Sequence, residues 1–181
     1  MRIRGTKLKS LAGAAGLSVE QLAQGMAEPG FPAERAASAI SNWMRDNDHP
    51  RCNRKMIVRL AELLRVSPKD LSRFTSEVNH HRGSPRKARL VADLIRGKTV
   101  EEAMNLLAFT PKRAALNIKK ALTAAREEAI LADADVTRLV VAESRVDDGP
   151  RLKRFQPKDR GRAHPIIKCF SHITVGIEEK N

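Results

Sequence analysis

Through the first 75 residues, apolar side chains recur at spacings of three and four with polar residues between them, the signature of short amphipathic helices. The pattern predicts helices over residues 7–15, 19–26, about 33–44 and 54–65, with a last turn from Pro68. The helix over 54–65 is the clearest case, because Met56, Ile57, Leu60, Leu63 and Leu64 fall on one face. Punctuation agrees with the pattern. Gly16 follows the first helix, Ser18 stands at an N-cap position before Val19, and Ser67-Pro68 pairs an N-cap with proline at the first helical position. Residues 74–83 interrupt the periodicity with Thr, Ser, Asn, two His and Gly. We place a boundary near residues 76–80 and expect part of this stretch to form an edge strand.

Helical spacing resumes at Ser84-Pro85, where Val91, Leu94 and Ile95 face one way while Arg86, Arg89 and Arg96 lie on another side, and Gly97 ends the element. Thr99 and Glu102 form a capping box for the next helix, with Ala103, Met104 and Leu107 inward. Thr110-Pro111 begins a longer helix with a narrow stripe of Ala114, Ile118, Ala121, Leu122, Ala125 and Ala129. After Asp135 the period drops to two, so residues 138–146 and 172–177 read as strands, with Ile173, Val175 and Ile177 on one face. The intervening 25 residues contain Gly149-Pro150, Pro157, Gly161 and Pro165 and few apolar side chains. If both arms stay extended, a dozen residues at about 3.3 Å each carry the tip roughly 40 Å from the sheet, and such a projection needs a partner to cover it. The expected fold class is α+β, with a small all-α domain over 1–76 and a domain over 79–181 of three helices, an antiparallel sheet and a long β-hairpin at about 138–177.

Composition narrows the partner. Lys and Arg number 34 against 21 Asp and Glu, a net charge of +13, which selects a polyanion and nucleic acid first. Residues 151–168 concentrate that charge in Arg151, Lys153, Arg154, Lys158, Arg160, Arg162 and Lys168 against Asp159 alone. Arginine in this number suits bidentate phosphate recognition. With five Phe, one Trp and no Tyr there is little material for stacking unpaired bases, so binding is expected through phosphates and shape. Cys52 and Cys169 stand far apart without metal-ligand spacing and read as reduced thiols. No metal or cofactor is expected. No window approaches the roughly 18 apolar residues of a membrane span, and the start lacks a secretory apolar core, so a cytoplasmic location is expected. There is no P-loop, nucleophile elbow or HExxH, which leaves an enzyme reading without support.

SPRKARLVADLIRGKTVEEAMNLLAFTPKRAA, VDDGPRLKRFQPKDRGRA and SHITV together are similar to the large-subunit ribosomal protein L-twenty-two family over residues 80–179. The resemblance implies a structural constituent of the bacterial large ribosomal subunit that binds its 23S ribosomal RNA, touches neighbouring ribosomal proteins and aids assembly. It further implies a globular part near the peptide exit site and a hairpin tip lining the exit tunnel beside the nascent peptide. The family's RNA-contacting positions fall on Arg86, Lys87, Arg89, Lys112 and Arg113, and in the hairpin on Lys153, Arg154, Lys158, Arg160, Gly161 and Arg162. The chain departs from the family at Asp159, in the return arm at His164, Pro165, Ile166, Ile167 and Cys169, and at Gly83, where an aliphatic strand residue is usual.

LKSLAGAAGLSVEQLAQ, SAISNWMRD and RLAELLRVSPKDL resemble a phage-repressor type of helix-turn-helix domain over residues 5–75. That resemblance puts Leu22, Ala23, Ile40 and Leu60 in the core and turns Ser38, Ser41, Asn42 and Arg45 toward nucleic acid. The connection GMAEPGFPAER, with Pro29 and Pro32, is longer than the usual tight turn. An alternative function is therefore a DNA-binding transcriptional regulator working through this domain, against a domain that contacts ribosomal RNA or a protein. Trp43 is expected to be a half-buried core residue, and His80, His81, His164 and His172 polar surface or RNA-facing groups.

Overall fold

The computed structural model describes residues 1–28 and 31–180. Pro29, singled out in the long connection above, lies outside them. The chain divides into two compact units, Met1–Phe74 with Glu128–Ala134, and Thr75–Glu127 with Asp135–Asn181.

The first unit is helical: α1 (Gly5–Ala15), α2 (Val19–Met26), α3 (Ala33–Trp43), α4 (Arg54–Leu64) and the single turn α5 (Pro68–Leu71). Two helix ends show the capping clearly. Ser18 and Gln21 exchange side-chain and backbone bonds in a capping box at the start of α2, and Gly16 closes α1 in the left-handed conformation. Leu8, Leu22, Ile40, Trp43, Ile57 and Leu60 are all within about 1 % of complete burial and form the core. Trp43 is fully buried rather than half-buried, because its indole N–H donates to the Pro50 carbonyl at 2.7 Å and thus loses nothing by leaving water. A two-residue strand, β1 (Arg2–Ile3), pairs antiparallel with Arg73 and Ser72.

The second unit is α+β. Its sheet runs in the order β2, β4, β3, with β2 spanning Ser72–Arg82, β3 Leu139–Pro157 and β4 Ala163–Glu179. β2 runs for 11 residues, longer than the edge fragment expected, and its start at Ser72 and Arg73 is paired with β1, so it is not an edge along its whole length. In β4, Ile173 to Ile177 are buried at every position, so the central strand is covered on both faces. Helices α6 (Pro85–Ile95) and α7 (Val100–Phe109) pack on each other and on β3. Val91 and Ile95 enter the core as expected, whereas Leu94 is 41 % exposed, since the buried positions of α6 follow Ala88, Val91, Ala92 and Ile95. In α8 (Arg113–Ile130) the stripe from Ala114 to Ala129 is buried, small side chains allowing close approach. The α6–α7 connection covers the outer edge of β3: Gly97 N–H donates to Val141 O at 2.8 Å and Val141 N–H to Lys98 O at 2.9 Å.

The end of β2 corrects one sequence expectation. His81 is buried, and its Nδ1 lies 2.6 Å from the Asn117 amide nitrogen, a polar partner for the buried ring. Burial, with the nearby Arg113 charge adding to it, holds the imidazole pKa below its ordinary value. The same ring explains Gly83. A Cβ there would stand 2.7 Å from His81 Nε2, so any larger residue at this place has to displace the histidine ring two positions earlier.

Three outcomes follow. Gly83→Ala lowers stability, and the loss shrinks when combined with His81→Ala, as a double-mutant cycle in urea denaturation reads directly. Because the folded state resists protonation of His81, stability holds above the ordinary histidine pKa and declines as pH falls below it toward the lowered folded value; His81→Gln removes that part of the pH dependence. Ala121→Leu, which overfills the α8 stripe, costs about 1–3 kcal/mol in the same denaturation experiment.

Candidate nucleic-acid interface

Two surfaces of the second unit gather the candidate residues. The first is the outer half of the β3–β4 ladder. The strands pair continuously from Leu139↔Glu179 to Pro157↔Ala163, with a register shift between Asp148 and Arg151 that leaves Gly149-Pro150 as an extra step on β3. Residues 151–165 are exposed at every position. From Asp148 to Pro157 the ribbon extends about 30 Å at about 3.3 Å per residue. Both arms are thus hydrogen-bonded strands rather than irregular segments. Their period-two pattern fades in the sequence only because neither face of the ribbon has a core to bury.

The ribbon closes on Asp159–Arg160–Gly161–Arg162. Arg162 N–H donates to Asp159 O at 3.2 Å, and Lys158 N–H to Arg162 O at 2.7 Å. Arg160 and Gly161 both take positive φ, 54° and 72°, as the tight hairpin turn with the strands' own twist demands. Glycine meets that demand freely, whereas arginine pays a steric cost to place a cation at the apex. Asp159 supplies the backbone carbonyl that closes the turn.

Charge changes sign along the ladder. At its base Arg145 lies 3.4 Å from Glu143 and 3.3 Å from Asp147. Asp148 is shared by Arg89 at 2.8 Å and Arg151 at 3.4 Å, while Arg89 Nε also donates to Val146 O at 3.1 Å. Arg89 therefore spends part of its hydrogen-bonding capacity fastening α6 to the root of the hairpin, and Arg151 is partly neutralised. Beyond them stand Lys153, Arg154, Lys158, Arg160 and Arg162, with Asp159 the one acidic residue in that part of the sequence, and Arg154 Nη1 donates to the Lys153 carbonyl at 2.8 Å. Such a row presents positive charge on a scaffold with almost no internal counter-charge.

The second surface is a cleft of about 620 Å³ where β2 ends and α6 and α8 begin, lined by Arg82, Lys87, Lys112 and Arg113 with His81 at its wall. An adjoining hollow brings in Lys168 and Cys169 beside Arg82 and Arg113. Among the described residues no carboxylate lines either space. Lys87, Lys112, Arg113 and Lys168, picked out separately in the sequence, thus come together, while Arg86 is exposed on the first turn of α6 and does not line the cleft. Arg82 was missed. Its signal was position: the last residue of a strand, immediately before the Gly-Ser-Pro that starts a helix.

In the first unit, Ser38 and Arg45 are exposed and Ser41 and Asn42 partly so. The Asn42 amide donates to the His49 carbonyl at 2.9 Å, which uses one of its two N–H groups. Among the described residues no group of three or more His, Cys, Asp or Glu is placed to hold a metal, and no helix is long and apolar enough to cross a membrane. Both cysteines are unpaired; burial, with Asp48 adding to it, pushes the Cys52 thiol up to about 12 and leaves it unreactive.

Comparison with known proteins agrees with this architecture. Residues 76–178 match the family described as ribosomal protein L22p/L17e. A protein from Thermotoga sp. (strain RQ2) named large ribosomal subunit protein uL22 is 43% identical over 128 residues, covering 67% of this chain and 74% of the relative. With the hairpin and the helices at its root inside the matched region, the chain belongs to the ribosomal protein L22p/L17e family of the large ribosomal subunit.

Proposed function

We propose that the chain is a structural constituent of the large ribosomal subunit that binds 23S ribosomal RNA through two phosphate-directed surfaces, the hairpin and the cleft at the starts of α6 and α8. One observation carries the reading. A two-stranded ribbon about 30 Å long has no core, is marginal in water by itself, and yet presents Lys153, Arg154, Lys158, Arg160 and Arg162 fully exposed. A polyanion that wraps it supplies both the missing contacts and the counter-charge, and release of condensed cations drives the association. By family resemblance the hairpin threads between RNA segments, its tip at Arg160-Gly161 lines the peptide exit tunnel, and the globular part sits near the tunnel's exit beside other ribosomal proteins. Arg86, Lys87, Lys112, Arg113 and Lys168 fix the register of the globular part on RNA, while Arg89 and Arg151 chiefly aim the hairpin. The first unit is read as a helix-turn-helix-like extension, its core at Leu22, Ala23, Ile40 and Leu60 being the one that resemblance requires.

Arg154→Glu combined with Arg160→Glu weakens incorporation into large subunits, measured by sedimentation of tagged protein, and flattens the salt dependence of RNA binding; normal incorporation would contradict the threading. Arg160→Asn separates charge from shape. Asparagine tolerates positive φ, so the turn persists while the salt slope falls by about 0.7–0.9, the share of one phosphate. Arg160→Val, which resists positive φ, should disturb the turn as well, visible as broadened tip resonances in NMR.

A further inference from the structure

The segment over residues 45–55, RDNDHPRCNRK, holds Arg45, Arg51, Arg54 and Lys55 beside Asp46 and Asp48. In sequence these charges look able to cancel one another. The fold keeps them apart. Asp46 Oδ1 accepts the Gly5 N–H at 2.8 Å, Asp48 Oδ1 accepts the Cys52 N–H at 2.9 Å, and Asp48 Oδ2 faces Arg2 Nε at 3.8 Å. Arg45, Arg51, Arg54 and Lys55 are all exposed and have no ion-pair partner among the described residues. The carboxylates are used to build the α3–α4 connection, and the cations are left outside it.

That connection is also stiff. Trp43 Nε1 donates to Pro50 O at 2.7 Å, Asn42 Nδ2 to His49 O at 2.9 Å, and Cys52 is buried in the core. The cations therefore stand on an ordered platform, which lowers the entropic cost of engaging a ligand. Their placement is unfavourable for the isolated unit: α4 has no acidic residue in its first turn, and Arg54 and Lys55 stand there against the positive end of the helix dipole. Beside them runs an open groove of about 680 Å³ lined by Arg54, Lys55, Val58, Arg59 and Glu62.

We infer that Arg45, Arg51, Arg54 and Lys55 form a further RNA-binding surface, in the first unit, one that grips the phosphate backbone of a ribosomal RNA duplex rather than its bases. The inference rests on the proposed ribosomal role for the choice of RNA over DNA. Phosphate contact is favoured over base stacking: Trp43 is fully buried, and one N–H of the Asn42 amide is already bonded to the His49 carbonyl. What remains is a set of cations suited to phosphate oxygens.

The test uses the full-length chain and a short mixed-sequence RNA duplex, with affinity followed by fluorescence anisotropy across a salt series. Replacing Arg51, Arg54 and Lys55 together by Glu lowers the slope of log affinity against log salt by about 2–3, three phosphates at about 0.9 each. Arg51→Lys with Arg54→Lys keeps the slope, showing that charge rather than folding is at issue. The hairpin pair Arg154→Glu and Arg160→Glu removes a separate, additive share. An unchanged slope in the triple variant, with the hairpin pair still losing affinity, overturns this surface and leaves the ribosomal reading intact. Loss in the triple variant alone supports the surface and counts against the hairpin. In cells, crosslinks from residues 45–55 to large-subunit RNA are expected; crosslinks to chromosomal DNA alone overturn the assignment.

Discussion

One antiparallel ladder, β3 with β4, has to serve two environments. At its inner end the backbone bonds are buried between helices and a third strand, and apolar side chains occupy successive positions of β4. At its outer end the same bonds continue with nothing packed on either face. The hydrogen-bond register carries order from the first region into the second, since each pair of bonds fixes the next pair of residues. Everything else in the second unit can be understood as support for the inner half of that ladder: α6 and α7 on β3, the Gly97–Thr99 turn on its edge, and β2 beside β4. Interactions at the root therefore have consequences at a tip they never touch.

The parts of the fold that bury apolar side chains were legible in the sequence, because burial imposes a period. Helices α2 and α4 and the inner strand of Ile173, Val175 and Ile177 show it, and the Ser18 N-cap and the Thr99 capping box mark where helices start. The outer arms of the hairpin left no such trace, and their strand character came instead from the ladder they extend. His81 was misjudged for a related reason. A histidine in a polar stretch looks like surface, and only the fold reveals Asn117 as the partner that makes its burial tolerable. The cleft shows the limit from the other side. Lys87, Lys112, Arg113 and Lys168 were identifiable one by one, but their convergence on Arg82 depends on where a strand ends and two helices start.

Charge in this protein is sorted by structure rather than by sequence blocks. Carboxylates cluster where they can fasten backbone or arginine, as Asp46 and Asp48 do in the first unit and Asp147 and Asp148 at the hairpin root. The cations of the outer hairpin and of the α3–α4 connection are left without an ion-pair partner among the described residues. Net charge alone gives no hint of this division. Screening by salt weakens exposed cations far more than internally bonded acids, so ionic strength acts mainly on what the protein binds and little on how it folds.

The junction of Arg89, Asp148 and Arg151 also has a mechanical meaning. An arm about 30 Å long, anchored at one end, behaves as a lever, and a pivot of roughly 0.1 radian at the root sweeps its end through about 3 Å, a full hydrogen-bond length. Asp148, gripped from two sides next to the Gly149-Pro150 step, acts as the bearing of that lever. Precision at the far end is thus manufactured at the near one, and substitutions around Asp148 would misalign contacts many residues away while leaving every contacting side chain in place.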